Sequence, residues 1–141
     1  MNRLIINTAN EKLFIVLQTE DNVFSKVNES KMRHNEVMIS EIDQLLKEAN
    51  ITIKDVDELG VVIGPGSFTG IRVGVATIKA FRDSLKIPAK GINNLDYLFK
   101  LANKRNSAIN TVAIKGSKDS YFVAKYVNET VYKYDRNLNL N

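Results

Sequence analysis

Cysteine is absent from the 141-residue sequence, and histidine occurs once, as His34. The missing thiols exclude disulfide bonds, thiolate nucleophiles and thiolate metal sites, and they favour a cytoplasmic location. A single histidine also excludes sites that are built from two or more. No apolar run approaches the ~18 residues of a membrane-spanning helix, and residues 1–10 lack the apolar core of a secretory signal. We therefore expect a cytoplasmic protein without a membrane anchor.

Acidic residues become scarce towards the C-terminus. Residues 1–99 contain 12 basic and 13 acidic side chains, whereas residues 100–141 contain 8 and 3. A basic surface attracts nucleic acid, but these lysines are scattered and form no arginine cluster. A solvated set of lysines is therefore the simpler interpretation, and direct nucleic-acid binding is kept as an alternative.

Apolar periodicity predicts the element order βββ-α-β-α-β-α-βββ. Apolar runs at residues 4–6, 13–17 and 23–27, separated by turn-rich segments, predict an antiparallel meander. Helical spacing predicts a first helix within residues 33–50, capped by Ser30. The remaining elements are predicted as strands at 59–63, 89–92, 111–114, 121–127 and 130–134, and as helices at 71–85 and 94–104. The polar residues 136–141 are expected to fray.

This order indicates the fold class. A meander followed by alternating helices and strands is typical of a mixed α/β sheet with helices on both faces. We expect an N-terminal lobe over residues 1–105 and a short, β-rich second-lobe segment over residues 106–141.

A glycine-rich loop, residues 64–70, joins a buried strand to a helix. A helix N-terminus with free N–H groups favours an anion, so one interpretation is an anion-binding loop made by Gly64, Gly66, Ser67, Thr69 and Gly70. The alternative is a junction where Ser67 or Thr69 caps the helix and nothing binds. In that case Phe68 is expected to anchor the loop against its surroundings. The loop lacks the lysine of a phosphate-binding Walker loop and the glycines of a nucleophile elbow.

The helix after this loop carries two apolar stripes. The first contains Gly74, Ile78, Phe81 and Leu85. The second is made of small residues, namely Val73, Thr77, Ala80 and Ser84. A helix with little polar surface is usually buried on two sides. We expect the first stripe to cover the sheet and the second to help form a helical interface with a partner.

Residues 60–77, GVVIGPGSFTGIRVGVAT, resemble the signature of the TsaB (YeaZ) family. The resemblance extends back through residues 34–36 and through Asn7 and Thr8, and forward to Ile87, Pro88 and Gly91. It covers about residues 1–100 of the chain.

Several expectations follow from the resemblance. It implies an actin-like, ribonuclease-H-like fold and a role in forming threonylcarbamoyladenosine at position 37 of tRNAs that read codons beginning with A. In that family TsaB is a non-catalytic partner of the catalytic subunit TsaD, works with the ATPase TsaE, and depends on TsaC for threonylcarbamoyl-adenylate. ATP and magnesium are implied for the complex, with no cofactor or metal held by this chain.

The resemblance also implies a partner surface. Together with the small-residue stripe it predicts an interface made by His34, Met38, Arg72, Val73, Ala76, Thr77 and Ala80. The same surface would serve a TsaD-like subunit or, in the isolated protein, a second copy of the chain, and tRNA would be reached through the complex.

Two departures from the family pattern bear on the alternatives. Asn7 stands where family members usually have aspartate, which argues against nucleotide hydrolysis, and residues 115–117 do not match the family's Asp-Ala-Arg segment. The alternatives are an actin-like nucleotide-binding protein, a degenerate glycoprotease-like enzyme, or a tRNA-binding module that uses the basic C-terminal third.

Overall fold

The computed structural model describes residues 1–29, 34–116, 120–128 and 130–139. Its elements follow in the predicted order. The strands are β1 (Arg3–Asn7), β2 (Leu13–Gln18), β3 (Val23–Asn28), β4 (Glu58–Gly64), β5 (Ala89–Asn93), β6 (Thr111–Lys115), β7 (Ser120–Val127) and β8 (Thr130–Asn139). The helices are α1 (His34–Glu48), α2 (Phe68–Leu85) and α3 (Asn94–Arg105), with a short 3₁₀ turn at Ile53–Asp55.

Five strands form a mixed sheet in the order β3-β2-β1-β4-β5. β1 pairs antiparallel with β2 and parallel with β4, and β2 pairs antiparallel with β3. The predicted meander is therefore confirmed, and the strand predicted at residues 59–63 is an interior strand that runs parallel to β1. β1 lies at the centre of the sheet because β2 pairs with one of its edges and β4 with the other.

One face of this sheet carries the main hydrophobic core. Side chains alternate across a strand, and in β1 the inward residues Leu4 and Ile6 are fully buried. They pack in one cluster with Met38 and Leu45 of α1 and Ile78 of α2, so both helices cover the same face. On the other face the apolar side chains of β1 and β2, namely Ile5, Phe14 and Val16, are half-buried.

Three strands form a second, antiparallel sheet in the order β6-β7-β8. α3 packs on it through Leu95 and Phe99, which cluster with Ala124 and Tyr126 of β7. The rings of Phe99 and Tyr126 stack with centroids 3.9 Å apart and planes at 7°. The Tyr126 hydroxyl donates to Oδ1 of Asp96 at 2.6 Å, which satisfies the polar end of a buried ring.

The chain divides into two compact units. The first contains Met1–Ile63 and Ser67–Gly91, and the second contains Gly64–Gly66 and Ile92–Asn141. Residue 105, where the sequence predicts the division between lobes, falls inside the second unit, because α3 packs on the second sheet. The division into lobes at that residue stays a prediction. No helix in the described ranges is long and apolar enough to cross a membrane.

Two predicted boundaries are wrong. α2 begins at Phe68, three residues before the predicted start at Ile71, because Ser67 rather than a later residue is its N-cap. β8 continues to Asn139, where residues 136–141 were expected to fray, and its far end pairs with β7 through Ser120 opposite Asn139. Ser30, the predicted cap of α1, and residues 140–141 lie outside the described residues.

Candidate partner-binding surface and the glycine loop

The loop after β4 bends through two glycines with positive φ. Gly64 has φ 119° and Gly66 has φ 156°, and they flank Pro65. Residues with a Cβ rarely adopt these angles, so the turn from strand to helix depends on glycine at both positions. The Pro65 carbonyl accepts a hydrogen bond from Nδ2 of the buried Asn94 at 2.9 Å. The sequence pattern therefore encodes a fixed, sharp turn.

Ser67 caps the helix that leaves the loop. Its Oγ accepts a hydrogen bond from the Gly70 N–H at 3.2 Å, and its backbone N–H donates to the Ala9 carbonyl at 2.7 Å. The capping interpretation is thus confirmed for Ser67, whereas Thr69 lies exposed within the first turn. Since the cap already engages the Gly70 N–H, this group is not directed at a ligand. Anion binding by the loop stays a prediction.

The start of α2 lies unusually close to the segment after β1. Thr8 is fully buried, and its hydroxyl donates to the carbonyl of Gly70. A Cβ on Gly70 would come under 3.0 Å from the Thr8 carbonyl oxygen, and one on Gly74 would come as close to Thr8 Oγ1. Both glycines are therefore required by packing, and they fix the position of α2 over β1.

Asn7 places a neutral, buried amide at the end of β1. It is 1% exposed, and its Oδ1 accepts the Ala9 N–H at 3.0 Å. Its Nδ2, a donor, is buried without a hydrogen-bond partner. The Asn7 amide supplies no carboxylate at this position, and the described residues hold no group of three His, Cys, Asp or Glu suited to a metal.

The outer side of α2 presents a row of exposed residues. Arg72, Ala76 and Ala80 are exposed, and they follow one another at four-residue steps on the same side of the helix. Phe68 precedes them by one further step. We refer to Phe68, Arg72, Ala76 and Ala80 as the exposed α2 face. The two alanines leave the backbone accessible, so another helix could approach it closely.

Phe68 does not anchor the loop. It is 73% exposed, and the Arg72 guanidinium carbon lies 5.3 Å from the centre of its ring. The expectation of a buried anchor is wrong because Ser67 and Thr8, rather than an apolar contact, hold the loop. The ring instead forms a cation–π pair with Arg72. It provides a large aromatic surface at the N-terminal end of the exposed α2 face.

The other predicted interface residues lie deeper. Val73 and Thr77 are half-buried, and the Thr77 hydroxyl donates a hydrogen bond to the Val73 carbonyl at 2.9 Å within the helix. Met38 is 1% exposed and packs in the hydrophobic core beneath α1. The side chain of His34, the first residue of α1, lies outside the described residues.

One exposed apolar residue on α1 was not predicted from the sequence. Ile39 is 53% exposed, and α1 and α2 are in contact. The sequence did contain a signal, since Ile39 is an apolar residue outside the row of buried α1 residues Met38, Ile42 and Leu45. The last turns of α2, beyond Ala80, carry charged side chains. Nε of Arg82 lies 2.9 Å from Oδ1 of Asp83 there. That hydrogen bond lowers the pKa of the Asp83 carboxyl.

Comparison with known proteins places this arrangement in a family. Residues 23–134 match the family model described as TsaD, tRNA N6-adenosine threonylcarbamoyltransferase. The chain is 33% identical over 99 residues to the Bacillus subtilis tRNA threonylcarbamoyladenosine biosynthesis protein TsaB, a match that spans 70% of this chain and 43% of that protein. The chain belongs to the TsaB (YeaZ) family.

TsaB relatives and transferase relatives both resemble this chain. It is 39% identical over 64 residues to the tRNA N6-adenosine threonylcarbamoyltransferase of Clostridium kluyveri, over 45% of this chain and 19% of that protein. The matches cover 43% and 47% of two TsaB relatives, so this chain spans about half the length of the curated relatives that it matches.

Solved structures confirm the fold. YeaZ from Pseudomonas aeruginosa superposes with a TM-score of 0.84 and 20% identity, over 96% of this chain and 66% of that one. The predicted actin-like α/β class is therefore confirmed. Within the first unit, however, α1 and α2 share one face of the sheet.

Proposed function

We propose that this TsaB-family protein is a non-catalytic scaffold subunit. It binds a TsaD-like catalytic subunit and supports threonylcarbamoyl transfer to adenosine 37 of tRNAs that read codons beginning with A. The exposed α2 face carries the proposal, because it is a row on a long helix that combines two alanines with an exposed arginine and an exposed aromatic ring. The names of the relatives, TsaB and the transferase, support the pathway.

The chemistry of the surface favours a protein partner. Ala76 and Ala80 allow a second helix to approach closely, and Phe68 with Arg72 has the composition of an interface hot spot. A lasting interface buries about 800 Å² on each side, which is more than one helix row offers. We therefore include the neighbouring α1, with its exposed Ile39, in the same surface.

The remaining components belong to the complex. ATP and magnesium act with a TsaE-like ATPase and the TsaD-like subunit, in the cytoplasm, and tRNA is reached through the complex. The Asn7 amide gives this chain no carboxylate ligand for a metal at the end of β1. In the isolated protein a second copy takes the place of the TsaD-like subunit on the exposed α2 face.

Replacement of Ala76 by arginine tests the surface. A long charged side chain at the centre of the exposed α2 face should prevent helix approach, so Ala76→Arg should lose co-elution with the TsaD-like subunit in gel filtration and should also lose self-association. Because Ala76 is exposed, the change in unfolding free energy should stay within about 0.5 kcal/mol.

Ala108→Arg is the matched control. It makes the same substitution at another exposed alanine, in the connection between α3 and β6, and should assemble like the original protein. If Ala76→Arg binds the TsaD-like subunit as tightly as the control does, the surface is assigned wrongly.

A further inference from the structure

The second unit contains an open cavity of about 450 Å³ between the C-terminal half of α3, the connection to β6 and the end of β7. This volume is within the range of small-molecule sites, roughly 300–1000 Å³. We refer to the cavity as the amide pocket. Its apolar lining is Phe99, Ile109 and Tyr126, and its polar lining is Asn103, Ser107, Asn110 and Asn128. None of these lining residues is charged, so the chemical group that fits the pocket is itself neutral.

Hydrogen bonds in the connection after α3 hold one wall of the amide pocket. Nδ2 of Asn103 donates to the Ser107 carbonyl at 3.5 Å and to the Ile109 carbonyl at 3.4 Å. Oδ1 of Asn106 accepts the Ala108 N–H at 3.0 Å. Because these bonds fix the connection against the helix end, the wall is positioned before a ligand binds, which lowers the cost of ordering it.

Asn110 presents an exposed carboxamide to the pocket. Its backbone carbonyl accepts the Tyr126 N–H at 2.8 Å, and its Oδ1 accepts the Thr111 hydroxyl at 2.8 Å. Its Nδ2 supplies two further N–H donors. Carboxamides match the donors and acceptors on the edges of nucleobases. The rings of Phe99 and Tyr126, stacked 3.9 Å apart, form a rigid aromatic floor. Aromatic rings together with polar groups that bond base edges are how proteins recognise an unpaired base.

Basic side chains lie beside the amide pocket on α3. Lys100 and Lys104 each follow a lining residue by one position, so they form the neighbouring row of the helix, about 6 Å apart along its axis. Both are exposed. Among the described side chains of residues 99–128, none is acidic and five are basic, namely Lys100, Lys104, Arg105, Lys115 and Lys125. A neutral pocket with cations beside it fits a ligand that joins a base to phosphate groups.

We propose that the amide pocket binds one unpaired base of single-stranded RNA, while Lys100 and Lys104 bind the adjoining phosphates. A strand is favoured over a free nucleotide because the cations extend over more than one helical turn, from Lys100 to Arg105. The choice of RNA rests on the proposed function in tRNA modification. The binding goes beyond that function, in which RNA is reached through the complex, and it uses no residue of the exposed α2 face.

A fluorescent base tests the pocket in the full chain. The probe is an unstructured oligouridylate of about ten nucleotides with one central 2-aminopurine. Binding, followed by anisotropy, should change the 2-aminopurine emission at least about twofold, because the base leaves the solvent. AMP should bind at least about tenfold more weakly than the strand. Unchanged emission on binding, or AMP that binds as tightly as the strand, overturns the proposal. Equal affinity for a DNA strand of the same base order overturns the choice of RNA.

Asn110→Asp places a carboxylate in the pocket and keeps the acceptor for the Thr111 hydroxyl. Affinity for the probe should fall at least about tenfold, because the amide donors are replaced by a negative charge. Asn106→Asp is the matched control, since it makes the same change in the same connection outside the pocket and keeps the acceptor for Ala108. Its affinity should stay within about threefold of the original. Equal weakening by the two variants overturns the proposal. If Asn110→Asp unfolds, Asn128→Asp makes the same test.

Two further variants separate the phosphate contacts and the proposed function. Lys104→Ala should reduce the salt dependence of RNA binding by about 0.7 in the slope of log affinity against log salt, as expected for one lost phosphate contact on a single strand. An unchanged slope overturns the phosphate contact. Ala76→Arg should bind the probe like the original protein, so failure of the α2 surface and failure of the amide pocket give different results. Loss of probe binding in a folded Ala76→Arg variant overturns the location of the RNA site.

Discussion

At the scale of the residue, Ser67 fixes where α2 begins. Its Oγ takes the Gly70 N–H and its own N–H reaches the Ala9 carbonyl, so one residue joins the helix start to the segment after β1. Neither bond presents a nucleophile to an open site. The chemistry of the residue is therefore that of a cap.

Ser67→Ala should lower the free energy of unfolding by about 1 kcal/mol, because the Gly70 N–H loses its acceptor. Reconstituted tRNA modification should stay near the original rate. Thermal unfolding and the modification assay measure the two effects. Ser67→Thr keeps a capping hydroxyl and should restore most of the stability.

A different result would contradict the structural role of this loop. Loss of modification by about a thousandfold in a Ser67→Ala variant that still folds and binds its partner would indicate a catalytic nucleophile.

Residue types predicted the cap but not the exposure of its neighbour. Serine before a helix and glycines in a turn carry local signals, so Ser67 and the bend at Gly64 and Gly66 could be found from the sequence. Phe68 carries no such signal. Whether an aromatic ring is buried depends on which segments reach it in space, and here the Thr8 segment contacts the backbone of α2.

At the scale of the element, one carboxylate joins three strands of the first sheet. Glu58 on β4 pairs with Arg3 on β1 and with Lys90 on β5, each at 2.9 Å. The hydrogen bond from Lys90, followed by the one from Arg3, holds the pKa of Glu58 below its ordinary value of 4.5. The charged form is thus favoured in the folded sheet.

Stability should depend on this group in acid. A carboxyl whose pKa is lowered by folding stabilises the fold above its unfolded pKa, and the contribution is lost as the pH falls through the folded pKa. The free energy of unfolding should therefore decrease below pH 4.5. Glu58→Gln should be less stable than the original protein at neutral pH and should lose less stability on acidification.

Urea unfolding across this pH range measures the difference. Concentrated salt should reduce the stability difference between the two proteins at neutral pH, because the ion pairs of Glu58 are accessible to solvent and are screened. Stability curves of the two proteins that stay parallel throughout acidification would exclude Glu58 as the group responsible.

Elements with a strong period were predictable, and their ends were less so. The spacing of Met38, Ile42 and Leu45 was enough to predict α1, because all three side chains are buried on one side of the helix. The first turn of α2 holds Gly70, which lowers helix propensity, so its early start depends on the cap and on packing against Thr8. The far end of β8 is polar, and its pairing with β7 rather than its composition makes it a strand.

At the scale of the whole molecule, the resemblance to TsaB proved more informative than composition. The basic C-terminal third gives a weak signal of its own, whereas the sequence from Gly60 to Thr77 identifies the family that the comparisons show. The exposed α2 face could be predicted in part, because small residues on the outer side of a helix are visible in the sequence. The position of β6 at the edge of its sheet, among the strands that the structure describes, could not, since it depends on which strands pair.

Reconstitution tests the proposed function of the whole chain. TsaC-, TsaD- and TsaE-like proteins should modify tRNA faster with this chain than without it, because the proposed function of the chain is to bind and support the catalytic subunit. Liquid chromatography of digested tRNA measures threonylcarbamoyladenosine. Ala108→Arg serves as the active control and Ala76→Arg as the inactive one. Modification that proceeds equally well without the chain would remove the functional proposal.

The second unit is discontinuous in the chain, and this has a consequence for synthesis on the ribosome. Every residue of the first unit precedes Ile92, so that unit can fold while most of the second is still untranslated. The second unit, in contrast, needs residues from two separate parts of the chain, because Pro65 is synthesised early and its hydrogen-bond donor Asn94 emerges later. A nascent chain would therefore have all residues of its first unit before it could complete the second.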